Sequence, residues 1–265
     1  MRFGIPAAAH RGATRGTVSK GVRTYEEGGN RVTAANPAPA RGVIIVGPGQ
    51  HFGIELVRRF RAEGYRIGIV ARREVGLAEI RTIAGDEDVL TESADVSDAT
   101  AFSDALVRLA ERLGTVDGLI YNPKVSFKAS VLGTRAADLD HAMTVNVTGA
   151  MVAVQTLLPW LEPAGGSVVL TGGGYKDEPA PDKFALSIGK AGLHALYRAL
   201  NQPLQRRGVR MKTIIIDGAI RRGAEGPSSS ALLADFYWSI FEGGASRVHR
   251  FPSRTPPSDQ MDLLL

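Results

Sequence analysis

Three glycines follow the first strongly apolar run of this chain, Gly47, Gly49 and Gly53 in "VGPGQHFGIEL". Glycine at a strand-to-helix turn lets the backbone bend tightly and approach a pyrophosphate, whose charge the helix N-terminus then favours. The spacing is G-x-G-x-x-x-G with His51 inside it, so the His51 side chain must turn away from the phosphates or bond to them. The next apolar run ends in Arg72-Arg73, 25 residues after Gly47. An acid there would hold ribose hydroxyls, whereas two guanidinium groups suit the 2′-phosphate of NADP, so NADPH is expected over NADH. The plainer alternative is a pair of solvated charges at a strand end. Further on, Lys190 stands in "KFALSIGKAGLH" (183–194), among small residues that let a helix lie close to a cofactor or a neighbouring helix. Other chemistries find less material. There is no cysteine, hence no disulfide framework, thiolate metal site or thiol nucleophile, and a reducing, cytoplasmic compartment fits. His141, His194 and His249 share no motif spacing, no His/Asp/Glu group has metal-ligand spacing, so no metal is expected, and no G-x-S-x-G elbow occurs.

The elements that must position these residues begin at Gly42. Short apolar strands at 43–46, 66–72, 89–96, 116–122, 167–172 and 211–217 alternate with helical patterns at 54–64, 75–84, 98–114, about 135–160 and about 183–206. A last helix ("ALLADFYWSIFEGG") and a short strand ("SRVHRF") close the body. Strands alternating with helices are βαβ units, and right-handed crossovers make of them a doubly wound parallel sheet covered on both faces. The expected fold class is therefore α/β, one Rossmann-type domain over 42–252. The Gly/Ala/Arg/Pro-rich segment 1–41 shows neither strand nor helix period and is expected to be a disordered basic extension, and 253–265 a flexible tail.

The formal net charge is +5. Residues 1–41 hold seven Lys/Arg against two Glu, which is the whole excess; the rest carries 25 basic and 25 acidic residues. A neutral body gives no basic groove, so no nucleic-acid partner is expected. No apolar run approaches the roughly 20 residues of a membrane helix, so no membrane partner is expected either.

Taken in order, the motifs resemble the short-chain dehydrogenase/reductase family over about Gly42 to Phe251. The likeness rests on the glycine turn, on Asp95-Val96 after the third strand of the body, like the family's adenine-contacting "DV", and on Tyr121-Asn122-Pro123 in place of "NNAG". It rests further on "VNVTGA" with Asn146 in the long helix and on Lys190 followed by "AGLHALYRAL". The resemblance implies a nicotinamide-dependent oxidoreductase of a small organic substrate, with Gly47, Gly49, His51, Gly53, Arg72, Arg73, Asp95, Val96, Asn122 and Lys190 at the cofactor. It also implies pairing through the two long helices into a homodimer or homotetramer.

Two departures bear on chemistry. Where the family has its catalytic serine and, roughly thirteen residues later, its tyrosine, this chain has Gly173 and Leu186. It is similar to divergent members with a "TGGG" stretch and an "SIGKA"-like helix lacking the tyrosine. Lys190 and Asn146 keep a binding role, and a different donor must serve an alkoxide forming in the transition state. Tyr175, on the loop beyond Gly173, is the best candidate; Tyr121, Lys124 and the hydroxyl of Thr171 are the others. Three readings stay open: an NADP(H)-dependent oxidoreductase with a non-standard proton donor, an inactive NADP-binding protein acting as sensor or partner subunit, and a non-redox enzyme, such as a lyase or cyclase, using the cleft without hydride transfer.

Overall fold

The computed structural model describes residues 18–19, 22–27, 30–35, 41–49, 52–84, 89–221, 223–244 and 247–252. They belong to two compact units, Met1–Pro39 and Ala40–Leu265. Within the first lie β1 (Val18–Ser19), β2 (Val22–Glu27) and β3 (Asn30–Ala35), an antiparallel sheet in which Glu27 pairs with Asn30. This corrects the expectation of disorder at these residues. The signal that composition hides is local: both paired runs, "VRTYEE" and "NRVTAA", contain Val and Thr, residues that favour strands. The tail expected at 253–265 lies outside the described residues.

The second unit is built on β4 (Gly42–Val46), β5 (Arg66–Ala71), β6 (Val89–Ser93), β7 (Gly118–Tyr121), β8 (Ser167–Gly173), β9 (Arg210–Ile216) and β10 (Val248–Phe251). All pair in parallel, in the order β10-β9-β8-β7-β4-β5-β6. Alternation along β4 shows why both faces are dry: Ile44 and Val46 join one core, Val43 and Ile45 the other. The first core is closed by α3 (Ala99–Leu113), α5 (Gly149–Ala164) and α6 (Phe184–Gln205), the second by α1 (Phe52–Ala62), α2 (Glu74–Ala84) and α7 (Ser230–Glu242). The doubly wound sheet is thus observed.

Helix ends follow local chemistry. Asp98 caps α3 by accepting from Ala101 N at 3.0 Å, and Gly114 ends it at φ 78°. Lys212, fully buried on β9, reaches the C-terminus of α7 and donates to the carbonyls of Ile240 (2.6 Å), Phe241 (2.8 Å) and Gly243 (2.5 Å). These carbonyls have no partner within the helix, and a cation there also meets the negative end of the helix dipole.

The expectation that no apolar run approaches the length of a membrane helix needs correcting. α4 (Ala136–Met143) continues through a π-helical turn, Thr144–Thr148, into α5, and the run Ala136–Ala164 is long and apolar enough by length and composition to cross a bilayer. Asp138, Asp140 and Asn146 interrupt the apolar letters without interrupting the helix. Its buried side, Ala150, Ala153, Val154, Leu157 and Leu161, packs into the first core against α3, β7 and β8.

Candidate functional site

The order of the strands reverses between β4 and β7, and the crevice beyond their carboxyl ends is where open α/β sheets take ligands. A cleft of about 580 Å³ opens there, lined from Gly47 and Arg72 at one end to Tyr175, Leu186 and Lys190 at the other.

At the first end the backbone has been cleared of side chains. Gly47 has φ 63°, and a β-carbon on it would lie 2.7 Å from Pro123 Cγ; Gly49 has φ 71°, and Gly53 leaves room only for Pro48. Gly47 N donates to Val70 O at 2.9 Å, and Asn122 Nδ2 donates to Gly47 O at 2.7 Å, so the turn is held from β5 and from β7. His51 lies outside the described residues. Arg72 and Arg73 both line the cleft and are exposed, with Arg72 4.0 Å from Asp95. Burial would raise the Asp95 carboxyl, but hydrogen bonds from the Ser97 backbone and hydroxyl, with Arg72 nearby, hold it below the ordinary value. Val96 lines the cleft and touches the notch at Gly149.

At the other end, the glycines of "TGGG" are explained by what presses on them. A β-carbon at Gly172 would meet Ile215 at 2.5 Å, one at Gly174 would strike the Asp217 carboxylate, and one at Gly173 would touch Lys190 Cγ, Cε and Cδ at 3.4–3.6 Å. Lys190 is buried, lies against Gly173 and donates from Nζ to Thr171 O at 2.5 Å. Burial, followed by repulsion from Lys124, lowers its ammonium to about 7. Leu186, one turn earlier, is buried and lines the same cleft.

The remaining predicted residues divide. Tyr175 and Lys124 line the cleft. The Tyr175 ring centroid is 5.8 Å from Lys183 Nζ, and its loop is tied down by Asp177, which pairs with Lys176 and Arg250, while Arg250 also holds Asp217 at 2.8 Å. Tyr121, expected near the cleft, points the other way: it is buried in the first core and donates to Val145 O at 2.6 Å, inside the π turn. The Thr171 hydroxyl pairs with Tyr237 at 2.8 Å and is likewise committed. Asn146, on the π turn, spends its amide on one residue, accepting from Val125 N at 2.7 Å and donating to Val125 O at 3.1 Å. It therefore positions the loop after β7, and Gly189 of α6 leaves it room, since a β-carbon there would lie 2.6 Å from Nδ2. His141, His194 and His249 do not line the cleft. Among the described residues no group of three His, Cys, Asp or Glu could hold a metal. Sequence reasoning missed the clasp on Val125 and the notches at Gly149 and Gly189, whose only trace was glycine in an otherwise good helix.

The sequence profile of the family described as short chain dehydrogenase matches residues 41–221. This chain belongs to the short-chain dehydrogenase family. Its general activity is that family's, a short-chain oxidoreductase. The dehydrogenase is 29% identical over 180 residues to levodione reductase of Leifsonia aquatica, covering 66% of this chain and 67% of that one. It is also 29% identical over 180 residues to 3-dehydrosphinganine reductase TSC10B of Arabidopsis thaliana, where it spans 65% of its own length but only 53% of that protein. Two solved structures share the fold. A metagenomic short-chain oxidoreductase in complex with NADP has TM-score 0.71 at 19% identity, covering 81% of this chain and 98% of that one. The NADH-dependent reductase A1-R′ complexed with NAD has TM-score 0.69 at 18% identity, covering 80% and 94%.

Proposed function

We propose that this dehydrogenase transfers hydride between NADP(H) and a small carbonyl or alcohol substrate, using a proton donor other than the family's serine and tyrosine. The observation that carries this reading is that one cleft at the strand-order reversal gathers the glycine turn, Arg72-Arg73 and Lys190. The bare backbone of Gly47, Gly49 and Gly53 fits a pyrophosphate, and the two arginines beyond β5 fit a 2′-phosphate. Fold neighbours in complex with NADP and with NAD support a nicotinamide cofactor in general, and the arginine pair supports NADP over NAD. When bound, that cofactor supplies or accepts the hydride. Gly173 and Leu186 stand where the family keeps its two hydroxyls, so protonation falls to another cleft-lining group, and Tyr175 and Lys190 qualify by chemistry. The small apolar residues of the cleft, Val145, Ile216, Ala219 and Ile220, suit an uncharged organic body. Titration with NADPH and NADH, followed by nicotinamide fluorescence, tests the reading: micromolar NADPH binding well tighter than NADH supports it, and binding of neither removes it.

A second reading, an inactive NADP-binding sensor or partner subunit, draws on the double absence of hydroxyl at Gly173 and Leu186. Nicotinamide turnover across a carbonyl panel would exclude it. Assembly is proposed to be a homodimer or homotetramer through α5 and α6, whose Val152, Trp160, Leu196 and Leu200 are only partly buried and whose Ile188 is exposed; sedimentation equilibrium measures it.

A further inference from the structure

We infer that Lys190 itself is the proton donor of this cleft, its stem lying against the bare backbone of Gly173. The inference rests on the oxidoreductase reading above. Its ground is geometric. The lysine stem lies against Gly173, where a β-carbon alone would contact three of its carbons, Cγ, Cε and Cδ. At that ordinary contact distance a side chain could be added without moving the lysine, so glycine simply leaves position 173 without a hydroxyl of its own. Leu186, one turn before Lys190, contributes apolar wall and no competing donor.

The other cleft groups leave the task to this amine. The hydroxyls of Tyr121 and Thr171 are held by Val145 O and Tyr237. Tyr175 sits on a single turn after β8 with its ring toward Lys183, whereas Lys190 is anchored in a helix and buried. The charged groups around Lys190 offer it no carboxylate: Lys124 faces it from beyond β7, Asp177 and Asp217 are engaged by Arg250, and Asp95 and Glu79 line the opposite end of the cleft. On its own helix the next titratable groups are His194 and Arg198, and Lys183 stands just before its start. Burial with a cation opposite brings the ammonium to about 7, and a general acid works best when its pKa lies near the working pH.

The step balances as follows. The carbonyl carbon accepts a hydride from the reduced nicotinamide, forming a C–H bond as the C=O π pair moves to oxygen. That oxygen takes a proton from the Lys190 ammonium; an N–H bond breaks, an O–H bond forms, the carbonyl is reduced to an alcohol and the nicotinamide is oxidised. The neutral amine regains its proton from water at the cleft mouth. In the reverse direction the neutral amine accepts the hydroxyl proton.

Two measurements test this. In the cofactor-free protein labelled with 13Cε/15Nζ-lysine, NMR should show one amine titrating near pH 7 that is missing in Lys190→Arg and moved in Gly173→Ser. If that amine titrates at the ordinary lysine value of about 10.4, the inference is overturned. With NADPH and 4-nitrobenzaldehyde, Lys190→Ala should lose on the order of 10²- to 10⁴-fold in rate and regain part of it with added alkylamines, in proportion to their acid strength. Tyr175→Phe, whatever its rate, should still show the ionisation near pH 7 in its pH profile, and Lys190→Ala should lose it. Turnover that disappears in Tyr175→Phe and is not restored to Lys190→Ala by amines overturns the inference while leaving the oxidoreductase reading intact. Failure of that underlying reading looks different, since the wild type itself would either not bind NADPH or bind it and reduce no carbonyl.

Discussion

Arg72 and Arg73 are the two residues whose replacement should change which cofactor is chosen without touching the fold, because both project from the end of β5 into water at the rim of the cleft. Exchanging both for glutamate is expected to weaken NADPH binding by on the order of tenfold or more, as hydrogen bonds to a charged phosphate are lost, and to leave NADH binding nearly unchanged. Fluorescence titration measures both, and an unaltered NADPH affinity would mean the arginines are only solvated charge. Lys190 makes a second prediction, on stability. Its folded value of about 7 lies below the unfolded 10.5, so between those values the unfolded chain binds the extra proton. Stability from this group is therefore lowest below pH 7 and recovers as pH rises toward 10.5. Lys190→Met removes the buried ammonium, and its melting temperature relative to wild type should be highest at pH 6 and decline steadily through pH 9. A difference that does not change with pH would show an amine of ordinary acidity.

At the scale of elements, the long helix is held by a lock that crosses three of them. Tyr121 of β7 donates into the π turn at Val145, and Gly149 leaves room for its hydroxyl and for Val96. Gly149→Ala would drive a methyl into both and is expected to destabilise the fold by about 1–3 kcal/mol, measured by urea unfolding at constant m value. Lys212 plays the comparable part for α7. With Lys212→Met the carbonyls of Ile240 and Gly243 lose this donor and that of Phe241 keeps only the Ser167 hydroxyl at 3.3 Å, so the melting temperature should fall and amides in the last turn of α7 should lose hydrogen-exchange protection first. Much of this scaffold was legible from period alone: every strand of the second unit was foreseen, because runs such as "VIIV" and "SVVLTG" have no reading in water. The positions of the glycine turn and of Arg72-Arg73 were legible for the same local reason, since both follow directly on strand ends. The π turn was not, because one extra residue in a helical turn leaves the letters unchanged and yet decides that Asn146 clasps Val125 and that Tyr121 faces the core. Lys212 was hidden too, as a charged letter inside a strand says nothing about the helix end it will meet.

Across the whole molecule, the cleft belongs to one of the two units. Every described residue lining it lies between Gly47 and Leu233, within the second unit, and the sheet β1–β3 lies within the first. The second unit has its own two-sided core, closed at the outer strand by the pairing of β10 with β9 and by Arg250, which spans Asp217 of β9's end and Asp177 of the loop carrying Tyr175. A unit with its own core should fold and bind alone. Removing residues 1–39 is therefore expected to leave both the NADPH dissociation constant and the melting temperature where they stand, although it removes most of the net positive charge of the chain. The salt dependence separates charge from structure. If the basic segment steers the anionic cofactor, its loss would slow NADPH association at low ionic strength, while the affinity at 0.15 M salt, with a Debye length of about 8 Å, would stay the same. Weaker binding at both ionic strengths would mean that the amino-terminal segment contributes to cofactor affinity by more than its charge.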